Sequence, residues 1–162
     1  MVELHERTTA LIALRPGREA ALAEALRSHF GLALPAMGAF TQAHGLLLAR
    51  AAPHQMLAMR DGTAATLLEE LQTALGEQAG IIDLSDARIG VRIAGPRARE
   101  RLASLLPIDL HPAALRPGAC AHTVMAHIGV LVLLLDDAPT FEVQCARSYA
   151  GSFLRALELA GA

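Results

Sequence analysis

The chain contains no lysine, no asparagine and no tryptophan, and aromatic residues make up only 3% of it. Without lysine there is no Walker P-loop, no Schiff-base chemistry and no lysine general base. All fourteen basic residues are arginine, against sixteen acidic ones, for a formal charge of −2. No basic block and almost no rings to stack on bases exclude a nucleic-acid binder of the usual kind. Long apolar runs are missing too: Ile128 to Leu135 is the longest, far short of the ~20 residues that span a bilayer. Glu3, His5, Glu6 and Arg7 interrupt the start, where a secretory signal would be apolar. These absences predict a soluble, cytoplasmic protein with no membrane or nucleic-acid partner. Only Cys120 and Cys145 are available as thiols, without a CxxC pair. In a reducing compartment they are expected to be inert core residues.

What is present is Leu and Ala. Hydrophobic residues reach 53%, charged residues only 19%, and mean hydropathy is +0.37. The 162 residues allow one domain of two small halves. Such a chain hides roughly 68–70% of its unfolded surface.

The first half reads strand, helix, strand, strand, helix, strand. Thr8 to Leu14 is a short apolar strand closed by Pro16 and Gly17. Leu22, Leu26 and Phe30 recur at helical spacing, and the helix stops near Gly31. Pro35, Gly38 and Gly45 mark a loop. Strands are expected over 45–50 and 54–60, then a helix capped by Thr63 with Leu68, Leu71 and Leu75 on one face. Residues 80–84 complete the half as a strand.

The second half repeats the order in outline, without detectable self-similarity. Ile89, Val91 and Ile93 alternate with Arg88, Gly90 and Arg92. A helix begins at Gly95–Pro96, with Ala98, Leu102, Leu105 and Leu106 inward and Arg97, Arg99, Glu100 and Arg101 solvated. Pro107, Pro112 and Pro117 punctuate a loop. Residues 124–135 form one or two strands with Gly129 as a bend or bulge, and 141–145 another strand. Ser148 caps a last helix that turns Tyr149, Phe153 and Leu157 inward. The expected fold class is α+β: two ferredoxin-like βαββαβ-type halves, 1–85 and 86–162, packed as one unit over 1–162.

Chemistry-bearing constellations are sparse. Seven histidines show no HExxH and no Cys/His cluster, and His122 and His127 fall on opposite faces of a straight strand. No metal site is expected. Asp109 and His111 share a face if extended, so the carboxylate can orient the imidazole; the alternative is a polar turn. Asp83-Leu84-Ser85-Asp86 reads as a turn. Arg88, Arg92 and Arg97, with Arg99 and Arg101, form either an anion-binding face or a solvated rim. No catalytic residue and no cofactor-binding residue is assigned.

One ordered series of segments carries a resemblance. It runs Ile82-Asp83-Leu84-Ser85, Ile93-Ala94-Gly95-Pro96-Arg97-Ala98-Arg99, Ile108-Asp109-Leu110-His111-Pro112, Arg116 to Thr123, and Arg147-Ser148-Tyr149-Ala150-Gly151-Ser152-Phe153. Over residues 80–160 the chain resembles the gamma subunit of bacterial heterotetrameric sarcosine oxidase. Upstream, only Pro53 and Leu57 remain of that family's Trp strand, Gly-Pro turn and second strand. The resemblance implies a folate-binding-domain-like fold, similar to the aminomethyltransferase T-protein. It implies alpha, beta and delta partner subunits that demethylate sarcosine oxidatively to glycine, with FAD, FMN, NAD and tetrahydrofolate in those partners. Folate-active relatives carry a Gly-Gly segment and paired aspartates where this chain has Ile128-Gly129-Val130-Leu131-Val132-Leu133. The resemblance therefore implies a non-catalytic sibling without a cofactor of its own. The iron–sulfur-associated folate-binding family, with its Lys-Gly-Cys signature, is excluded by the missing lysine. The alternative reading is a free-standing binder of folate or a similar anionic cofactor. A third is a domain that self-associates when isolated.

Overall fold

A computed structural model describes residues 2–160 of the chain. Ten strands and four helices fall into two units, each built on a five-stranded antiparallel sheet. The first unit spans Arg7–Asp86; the second takes the chain from Ala87 onward together with the opening strand, β1 (Val2–His5).

In the first unit the order is β2 (Thr8–Leu14), α1 (Glu19–Phe30), β3 (Ala39–Ala43), β4 (Leu46–Ala52), β5 (Gln55–Arg60), α2 (Ala64–Leu75) and β6 (Ala79–Asp83). Its sheet runs β3-β4-β5-β2-β6. Leaving out β3, this is the β-α-β-β-α-β ferredoxin-like order. Leu22 and Leu26 of α1 and Leu67, Leu71 and Leu75 of α2 are fully buried against Ile12, Leu48 and Met56. Each such side chain contributes roughly 1.5–3 kcal/mol. Helix α1 ends at Gly31, whose φ of 64° is left-handed; Gly31 N–H donates to Arg27 O and Leu32 N–H to Leu26 O.

The second unit has β7 (Arg88–Ala94), α3 (Ala98–Ala103), β8 (Cys120–Met125), β9 (Ile128–Asp136), β10 (Thr140–Ala146), a 3-10 turn at Arg147–Tyr149 and α4 (Ala150–Leu159). Its sheet runs β1-β7-β10-β9-β8. Place for place, β1 occupies here what β6 occupies in the first unit. Each half of the chain thus reads β-β-α-β-β-β-α, with the two leading strands exchanged. Ile89, Val91, Ile93, Phe141, Val143 and Cys145 pack with Ala98, Leu102, Phe153 and Leu157 in one core.

Several local expectations need correction. The loop around Gly38 contains strand β3, joined to β4 by a two-residue turn in which His44 and Gly45 have φ of 50° and 77°. Both central φ are positive, as in a type I′ hairpin. β3 is a short edge strand, largely half-buried, whose sequence AFTQA shows no clean alternation, so the local pattern does not mark it. Residues 120–136 make two strands, split by Ala126–His127 with φ of 48° and 68°. Gly129 is neither bend nor bulge; it pairs in regular register with Val124. His127 therefore sits in a turn, and of the pair His122 and His127 it is His122 that lies on a strand.

Caps and helix faces shift as well. Thr63 stands at the N-cap of α2 but makes no capping bond; its hydroxyl lies 3.1 Å from that of Thr66. Leu67, not Leu68, leads the buried face. Helix α3 starts at Ala98 and stops at Ala103, so Leu105 and Leu106 belong to the following loop. Ser148 is inside the 3-10 turn rather than a cap, and Tyr149 is 52% exposed because that turn rotates it out of register with Phe153.

Candidate functional site

A set of polar residues on β1, β7 and β10 of the second unit shares the sheet face opposite its core residues. β7 turns Ile89, Val91 and Ile93 into the core, so Arg88, Gly90 and Arg92 share the other face by the two-residue period. β10 pairs antiparallel with β7 and sets Gln144 opposite Gly90 and Glu142 opposite Arg92. β1 sets His5 opposite Gly90 from the other side. Glu142 is fully buried and Gln144 nearly so.

Burying a carboxylate is costly unless it is paired and hydrogen-bonded. Here Gln144 Nε2 donates to Glu142 Oε1 at 2.8 Å, and Arg92 Nε approaches Oε2 at 3.4 Å. His5 Nε2 lies 3.9 Å from the same Oε2. The far end of Gln144 accepts from Arg88 Nε at 3.3 Å. Arg88, Gln144, Glu142 and Arg92 thus form one chain of polar contacts across two strands. Gly90 leaves room for it: a Cβ there would stand 2.9 Å from His5 O and 3.7 Å from Glu142 Oε1. Sequence reasoning noted only the apolar side of residues 141–145. The signal was available in Glu142 and Gln144, two polar residues at alternate positions inside an apolar strand.

The expected arginine face divides three ways. Arg88 and Arg92 belong to the sheet cluster, whereas Arg97 is exposed at the N-cap of α3, beside a small recess it shares with Arg101. Arg99 is not solvated. Its Nη1 donates to Leu110 O, its Nη1 and Nη2 each lie 3.4 Å from Leu115 O, and its guanidinium stands 5.5 Å from the Phe141 ring centroid. It clamps the proline-punctuated loop onto helix α3, a structural task.

Asp109 and His111 do not form a carboxylate–imidazole pair through their side chains. Asp109 Oδ1 accepts from the backbone N–H of His111 at 2.8 Å, and His111 Nδ1 accepts from the N–H of Ala113 at 3.2 Å. This is turn chemistry. Asp83 behaves alike: it accepts from Ser85 N–H at 2.9 Å and Ser85 Oγ at 2.7 Å, and those two bonds hold its carboxyl below the usual carboxylate range. Both cysteines are buried, and burial pushes the Cys145 thiol up, outweighing the opposite pull of Arg88. A high thiol pKa in the core is the inert condition. Among the described residues no group of three His, Cys, Asp or Glu converges as a metal site, and no helix is long and apolar enough to cross a membrane.

The first unit contains an open groove of about 530 Å³ between the end of α1, the β3–β4 turn and α2. His29, Phe30, His44, Arg60, Glu69 and Glu70 line it, and Arg60 Nη1 donates to Glu70 Oε2 at 2.7 Å. Of these residues only Phe30 stood out in the sequence, as part of a helix face; the groove itself did not, because its lining comes from four separate elements.

Comparison with known proteins gives these features a context. A family model described as "Sarcosine oxidase, gamma subunit family" matches residues 16–162. Among curated proteins no sequence matches significantly. A chain of the heterotetrameric sarcosine oxidase from Corynebacterium sp. U-96, solved in complex with pyrrole 2-carboxylate, superposes with a TM-score of 0.86 at 28% identity, covering 99% of this chain and 82% of that one. The glycine cleavage system aminomethyltransferase T from Bartonella henselae superposes with a TM-score of 0.70 at 16% identity, covering 96% of this chain and 44% of that one. The second likeness is one of fold alone.

Proposed function

The chain belongs to the sarcosine oxidase gamma subunit family, and from that premise we propose that it is a non-catalytic, structural subunit of a heterotetrameric sarcosine oxidase. In this reading its partners are alpha, beta and delta subunits, and the assembly works in the cytoplasm. FAD, FMN, NAD and tetrahydrofolate reside in the partners, where sarcosine is demethylated to glycine. The observation that carries the reading is the likeness to a chain of the Corynebacterium enzyme along almost the whole length of this one.

Two features of the chain support the non-catalytic part. β9 presents Val130, Leu131, Val132, Leu133 and Leu134, all buried, where the resemblance to folate-active relatives asks for paired aspartates. An apolar side chain neither accepts nor delivers a proton. The one carboxylate on β9, Asp136, is spent on a turn: its Oδ1 accepts from Ala138 and Thr140 N–H. These residues do not fit folate chemistry. Secondly, both edge strands of the second sheet keep apolar residues about half exposed, Val2 and Leu4 on β1 and Val124 on β8. Unprotected apolar edges suit a chain that is covered in an assembly.

Co-expression of the chain with alpha, beta and delta subunits tests the proposal. The expected result is co-elution of all four on size exclusion, with loss of the stable assembly when this chain is omitted. Equal yield and activity of a complex lacking it would overturn the structural role.

A further inference from the structure

Arg88 is a half-buried guanidinium whose side-chain partner among the described residues is neutral: Nε donates to Gln144 Oε1 at 3.3 Å. Burial holds its pKa below the usual arginine value. Arg92, two residues along the same strand, has Glu142, and Arg147 has Glu6 at 2.7 Å. Among the described residues no carboxylate meets the side chain of Arg88. Instead Arg88 opens on a hollow of about 340 Å³ lined by His122, Thr123, Gly129 and Val130. The hollow exists because Gly129 has no side chain. Its backbone is ordinary strand, and a Cβ placed there would meet nothing within 4 Å. His122 faces the same space and is disfavoured as a cation, first by burial and then by the charge of Arg88. Two groups that can be cationic thus share a recess whose described lining holds no counter-ion.

We propose that the Arg88–His122 hollow on the second sheet binds a small oxyanion, a carboxylate or phosphoryl group, one per chain. With Nε occupied by Gln144, the two Nη groups of Arg88 remain to meet two oxygens of the anion. His122 adds an N–H donor and, once protonated, a second charge. The charged and titratable neighbours are few. Cys145 is coupled electrostatically to Arg88, Arg147 donates Nη2 to the Arg88 carbonyl, and Glu142 lies beyond Gln144, tied to Arg92 and His5. None of these contacts neutralises the side-chain charge of Arg88. An anion relieves the repulsion between Arg88 and a protonated His122, so binding raises the His122 pKa and tightens as pH falls. The site stands independently of the role proposed above.

The test is an NMR titration of the isotopically labelled full chain with sodium sulfate at constant ionic strength, balanced with chloride. Sulfate keeps its charge across the range in which imidazole titrates. The expected result is saturable shifts of the Thr123, Gly129 and Val130 amides and an upward move of the His122 midpoint. Affinity should be at least tenfold weaker in Arg88→Gln. In Gly129→Val the added side chain fills the hollow in a conformation strands favour, and binding should be lost while thermal unfolding is kept. A parallel titration with acetate ranks carboxylate against the phosphoryl-like anion. Shifts that grow linearly and equally with chloride, or that persist in both variants, overturn the site.

Discussion

Arg99 offers the sharpest test of how the second unit is held together. Replacing it by methionine keeps an apolar stem of similar length and removes only the guanidinium. The loss is the charged hydrogen bond to Leu110 O, the longer contacts to Leu115 O at 3.4 Å, and the approach to the Phe141 ring at 5.5 Å. A hydrogen bond from a charged donor contributes roughly 1.5–3 kcal/mol, and an exposed cation–π contact about 0.5–1 kcal/mol. Because Arg99 is half-buried, the carbonyls it leaves can recruit water, which favours the lower end. The expected destabilisation is about 2–3 kcal/mol. For a chain of this size that lowers Tm by roughly 4–12 °C. Circular dichroism melts measure the total, and amide hydrogen exchange over residues 104–119 locates it. Exchange should accelerate in that loop first, since Arg99 supplies the side-chain hydrogen bonds that run from α3 to Leu110 O and Leu115 O, whereas β9 and β10 should be unaffected below the melt. Arg99→Lys, which keeps the charge but not the two-armed donor, should recover part of the loss. A methionine variant that melts within 1 °C of the parent (about 0.3 kcal/mol), with unchanged loop exchange, refutes the clamp.

Other consequences follow from the same geometry. Glu142→Ala leaves Arg92 and Gln144 without their buried acceptor and should cost about 3 kcal/mol, against much less for Glu142→Gln; urea unfolding compares them. His122 is held below the ordinary imidazole value by burial and by Arg88, so its neutral form is the one the fold prefers. Its contribution to stability is complete above ~pH 6.5 and fades as pH falls through the lower folded value. Arg88→Gln should move the His122 midpoint upward by NMR, and an unmoved midpoint counts against that coupling. Cys120 and Cys145 should resist a disulfide thiol reagent at pH 8 until the chain unfolds. Replacing Ala126–His127 by Asn-Gly, which accepts the positive φ of that turn readily, should raise stability by about 1 kcal/mol.

Much of this protein is determined by local sequence alone. Leu22, Leu26 and Gly31 specify a helix and its end, because the period and the left-handed stop are properties of the segment itself. Ile89, Val91 and Ile93 specify a strand and its inward face, and Asp83–Ser85 and Asp109–His111 specify turns, since their hydrogen bonds reach only two residues along the chain. The ordered segments over residues 80–160 were also legible, and the family they resemble is the one to which the chain belongs. Everything that depends on distant residues meeting was left to the tertiary structure. The exchange of β1 and β6 is invisible locally, because either strand carries enough apolar residues to pair with β2 or β7. Of the arginines, position in the sequence says nothing about which finds a partner. Registers between β7 and β10 give Arg92 a carboxylate and Arg88 only an amide, while a loop folding back gives Arg99 two carbonyls. Charge was countable from the residues; neutralisation was decided by cross-strand distance, which only the folded sheet sets.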